Sequence, residues 1–108
     1  MRIESEDDFM GDDAIIRNLK KRFRVDFLSV SDKYPNDDGC LRRMGEIGVE
    51  KTMRLSRIYK MCEETAKAFN GKFNDGLRIE TGTALFVIAY DEYVEPPAPW
   101  SVFREDPL

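Results

Sequence analysis

The sequence predicts an α+β domain of two layers, a long central helix lying across a small antiparallel sheet of about three strands. Three observations predict it. Residues 38–70 hold no proline and carry apolar side chains at helical spacing. Residues 77–90 contain two strand-like runs around a short turn, and residues 23–30 alternate apolar with charged side chains. At 108 residues, 42% apolar and 35% charged, the composition is that of one folded domain spanning 1–108.

Each element follows in order. Residues 1–11 are acidic and end in Gly11, which reads as a loose arm. A short helix starts at Asp12, places Ile15, Ile16 and Leu19 on one side, and finishes with Lys20, Lys21 and Arg22, charges that suit a helix dipole. Phe23, Val25 and Phe27 then alternate with Arg24 and Asp26, so a strand is expected from Phe23 to Val30 with its aromatics inward. The stretch SDKYPNDDG, Ser31 to Gly39, is a loop.

In the long helix, Leu41, Met44, Gly48, Leu55, Tyr59, Cys62, Ala66 and Phe69 recur at intervals that gather on one side, the expected core face. Gly45 and Gly48 weaken its first turns or admit a close neighbour, so the helix is firm from about Glu46. Asn70 and Gly71 end it with a left-handed cap. After a turn at Asn74 to Gly76, Leu77–Glu80 and Ala84–Tyr90 form a hairpin, and ALFVIAY, apolar on both sides, is its central strand. The tail, residues 95–108, is rich in proline and therefore extended, with Trp100 and Phe103 as anchors.

Most catalytic chemistries find no residues here. Histidine is absent, which removes Ser-His-Asp and Cys-His catalysis within one chain. Cys40 and Cys62, without histidine, do not make a zinc site, and on one helix they stand too far apart to bridge. No Walker loop, GxGxxG or calcium-loop pattern is present, and the acidic pairs are sequence neighbours that point apart. The expectation is a protein that is not an enzyme and needs no cofactor or metal. No apolar run is long enough to span a bilayer, and the acidic N-terminus is unlike a signal peptide, so the default setting is cytoplasmic.

What remains is binding. The net charge of −4 conceals acidic ends around a basic middle: residues 1–13 hold six acids and one base, 14–30 one and five, 41–72 four and eight, 73–108 seven and two. One reading is that the ends neutralise the middle. A sharper one assigns a protein-binding face to the outer side of the long helix, built from Ile47, Met53, Arg54, Arg57 and Met61, with Trp100 as a further docking residue, because methionine and arginine are enriched at interfaces. On that reading the chain inhibits or adapts a macromolecular partner, as small stand-alone viral and mobile-element inhibitors commonly do. Self-association would satisfy the same methionines. The alternative is capture of an anionic ligand, a nucleotide signal or nucleic acid strand, by Arg22, Arg24, Arg54, Arg57 and Lys60, since arginine forks fit phosphate.

Overall fold

A computed structural model describes residues 11–95; the acidic arm before Gly11 and the tail beyond Glu95, with Trp100 and Phe103, lie outside the described residues. The chain runs α1 (Gly11–Phe23), β1 (Leu28–Val30), β2 (Tyr34–Pro35), β3 (Cys40–Gly48), α2 (Leu55–Ala68), β4 (Lys72–Glu80) and β5 (Thr83–Tyr93). The architecture is α+β, with an antiparallel sheet of five strands rather than about three, ordered β1-β3-β5-β4, and β2 also pairing with β3.

The largest departure from the sequence reading lies at residues 40–48, which form a strand and not the first turns of a long helix. Its alternation has a period of two: Arg43, Gly45 and Ile47 are buried, while Met44 is exposed and Arg42 and Glu46 are half-buried. An inward arginine and an outward methionine blurred that pattern in the sequence. Gly45 does admit a close neighbour, and that neighbour decides for sheet. It pairs with Phe86, whose ring lies over it so closely that a Cβ would stand 2.3 Å from Cζ.

The predicted strand at Phe23–Val30 also shrinks. Phe23 closes α1 and is buried, only Leu28–Val30 is strand, and Phe27 is exposed rather than inward. The hairpin joins the expected strands, with Thr81 and Gly82 both at positive φ (44° and 78°), the left-handed pair that a two-residue turn requires, but β4 starts at Lys72 and runs through Asn74–Gly76, which make an irregularity in its pairing with β5 and not the expected turn. At the end of α2, Asn70 is left-handed (φ 63°), and Gly71 N–H returns to Ala66 O at 2.8 Å.

Both helices cover one face of the sheet. Leu19 and Phe23 of α1 meet Ile58, Met61, Cys62 and Ala66 of α2 over Ile47, Ala84, Phe86 and Ile88, forming a single core. The buried stripe of α2 is thus rotated from the predicted one, with Leu55 exposed and Tyr59 half-buried against Phe73. Among the described residues Arg43 is the one buried charged residue, and it ties the layers together. Its guanidinium donates to Ser31 O and to Asp12 Oδ2 (2.8 Å) and stacks on Phe69 (5.0 Å). Burial pulls its pKa down, but Asp12 and, after it, Tyr90 together more than compensate, so it lies above the ordinary value. Among the described residues, no helix is long and apolar enough to cross a membrane.

Candidate functional site

The end of α1 meets the beginning of α2, and five basic residues, Arg22, Arg24, Arg54, Arg57 and Lys60, stand around that junction. After Phe23 the chain turns through Arg24 in the left-handed region (φ 61°), so that Val25 N–H returns to Lys20 O at 3.1 Å. A non-glycine residue there carries a strain of about 1–2 kcal/mol. Arg57 of α2 donates to Phe23 O at 2.7 Å and so caps the carbonyl end of α1.

Two open clefts flank this contact. The larger, about 360 Å³, is lined by Arg22, Phe23, Arg57, Lys60, Met61 and Glu64. The smaller, about 210 Å³, includes Arg24, Phe27, Gly48, Glu50, Met53 and Gly82 in its walls. Arg22 is partnered by Glu64 across the larger cleft at 2.9 Å. Arg24, Arg54 and Lys60 join no ion pair among the described residues, and all three are exposed.

The start of α2 is electrostatically opposite to what helix stability favours. Its positive end is best matched by carboxylates and a Ser, Thr, Asp or Asn cap. Instead Arg54 occupies the N-cap with no side-chain hydrogen bond, and the first turn has no acidic residue. Arg57 and Lys60 add two further positive charges within two turns. Free backbone donors and uncompensated cations at one helix end suit an anion.

The predicted protein-docking face is not assembled. Ile47 (0% exposed) is on the core side of β3, and Met61 (2% exposed) is on the core side of α2, so neither is open to a partner. The segment of Ile47 has a strand period and not the helical one that would turn it outward, and the buried stripe of α2 lies one position from the expected one and takes in Met61. Met53 is half-buried in the smaller cleft, and Arg54 and Arg57 remain exposed. Trp100 lies outside the described residues.

The alternative anion set fares differently. Arg22, Arg57 and Lys60 share the larger cleft, Arg24 lines the smaller one beyond Phe23, and Arg54 caps α2 between Met53 and Arg57 in the chain. Sequence reading missed Glu64 as a cleft residue and Phe27 as an exposed aromatic. The spacing of Glu64 from Lys60, one helical turn, was a signal for the first. Comparison with family models, with curated protein sequences and with solved structures finds no match for this chain.

Proposed function

We propose that the chain is a non-enzymatic binding protein that takes a phosphate-bearing ligand at the junction of α1 and α2. The observation that carries this reading is the first two turns of α2, which present Arg54, Arg57 and Lys60 with no carboxylate and no side-chain cap. Arg22 and Arg24 flank them from the end of α1. The acidic net charge does not oppose it locally. Of the 21 acidic and 17 basic residues, six acids and two bases lie in residues 1–10 and 96–108, which leaves fifteen of each in 11–95. Five of those fifteen cations stand around this junction against three carboxylates, Asp26, Glu50 and Glu64, a local excess of positive charge on a body that has no net charge.

The test is fluorescence anisotropy with a labelled 12-nucleotide single strand, with ATP as competitor to separate a strand from a free nucleotide. Strand binding through about three phosphate contacts weakens roughly 20-fold between 50 and 200 mM salt. Arg24→Glu and Lys60→Glu are each expected to lower affinity by about tenfold, whereas Lys67→Glu, at the far end of α2, leaves it unchanged. Neither Arg24 nor Lys60 has a hydrogen-bond partner to lose among the described residues. Absence of binding to both probes at 50 mM salt, or binding that ignores salt and both reversals, refutes the reading.

A further inference from the structure

The smaller cleft holds an aromatic ring and two carboxylates that phosphate binding leaves without a role. Phe27, 45% exposed, is the one exposed phenylalanine among the described residues, and leaving it in water forgoes stabilisation that burial would supply. The cleft is about 210 Å³, below the roughly 300–1,000 Å³ of sites that enclose a whole small molecule, so it has room for one flat ring and little more. Gly48 and Gly82 give its walls no side chain, and Gly48 N–H donates to Phe27 O at 2.9 Å. Its charges are Arg24, Asp26 and Glu50, all exposed, and none of the three joins an ion pair among the described residues. Two carboxylates against one guanidinium make this cleft unfavourable for a phosphate, unlike the larger one, where Arg22, Arg57 and Lys60 stand against Glu64 alone. What two free carboxylates accept is an N–H group.

We propose that the smaller cleft takes the base of the ligand: a nucleobase with an exocyclic amino group stacks on Phe27 and donates that amino group to Asp26 or Glu50. The assignment rests on phosphate binding at the junction of α1 and α2, and it names the part of the ligand that the cations do not recognise. Stacking is open to every base, because each has a π face. A carboxylate discriminates, since it accepts from the amino group of cytosine and finds no such donor on thymine. Arg24 lines this cleft and follows directly on Phe23 of the larger one, so it is the cation placed to meet the phosphate that carries the base.

Anisotropy of the full chain with three labelled strands of equal length tests the inference: oligodeoxycytidine, oligodeoxythymidine and an abasic strand with the same phosphates. The cytidine strand is expected to bind about tenfold more tightly than the abasic one and about fivefold more tightly than the thymidine one. Phe27→Ala, at an exposed position, removes the first difference, and Asp26→Ala combined with Glu50→Ala removes the second. Competition by CTP separates a free nucleotide from a strand as the source of the base. Equal affinity for the cytidine and abasic strands, or a difference that Phe27→Ala leaves intact, overturns the inference. So does a wild type that binds cytidine and thymidine strands alike. In each of these cases salt-dependent binding of the abasic strand leaves phosphate binding standing, whereas failure of all three strands and of CTP to bind removes it and the base site together.

Discussion

Cys62 and Cys40 show how far one residue type divides by environment. Cys62 is fully buried in α2, and burial, with the Glu63 charge, pushes its thiol from 9.0 up to about 12. Cys40, at the start of β3, is half-buried. Both are free thiols, and Cys40 is on a strand rather than on the helix that the sequence suggested. The folded chain therefore holds the Cys62 proton through pH values at which the unfolded chain has released it. Its contribution to stability is complete below about pH 9 and falls as pH rises toward 12. Urea unfolding at pH 8 and pH 10.5 should show a smaller loss of stability in Cys62→Ala than in wild type. A thiol reagent at pH 8 should modify Cys40 first and Cys62 only on unfolding; equal rates in the native protein would contradict this placement.

At the scale of elements, α2 begins badly for a helix and ends well. Its end has a left-handed Asn70 and two returning hydrogen bonds, from Asn70 N to Lys67 O at 3.0 Å and from Gly71 N to Ala66 O at 2.8 Å. Its start has the arginine cap that the proposed ligand site uses. Stability and binding are thus opposed at one position. Arg54→Asp supplies both a capping side chain and a favourable charge, and thermal melts should show a gain of about 1 kcal/mol. The same variant should bind the labelled strand more weakly. A destabilised Arg54→Asp would mean that the arginine has a structural contact that the geometry does not reveal. The identities of α1, α2 and β5 were legible because the apolar pattern of each is unbroken, whereas β4 was legible only from Leu77, because Asn74–Gly76 reads as a turn and is an irregularity in its pairing with β5. β3 was not, because its two faces each contain one residue of the wrong polarity, Arg43 inside and Met44 outside.

The molecule as a whole is organised around β5. It is paired on both sides, by β3 and β4, and sends Ala84, Phe86 and Ile88 into the core. α1 has no strand partner and is held by Leu19, Phe23, Ile15 and Ile16 and by three polar contacts, Arg43–Asp12, Arg22–Glu64 and Arg57–Phe23 O. Hydrogen exchange should therefore find the amides of Phe86 and Ile88 opening only with global unfolding, and those of α1 opening earlier as a unit. Protection in α1 equal to that of β5 would show that the helix is bound into the same cooperative block.

The sequence by itself determined the α+β class, the presence of two helices, the hairpin turn at Thr81–Gly82 and the cap at Asn70–Gly71, because each is encoded over a few neighbouring residues. It also named the basic residues that the fold gathers, Arg22, Arg57 and Lys60, without showing that they meet. Only the tertiary structure decided that residues 40–48 pair with β5, since the reason is the ring of Phe86 lying on Gly45, some forty positions away. That single pairing buries Ile47, lays Arg42, Met44 and Glu46 along an open face, and shortens the helix so that its unmatched positive end stands beside α1. Periodicity along a chain records which sides differ, whereas the partner for each side is set by contacts between distant segments.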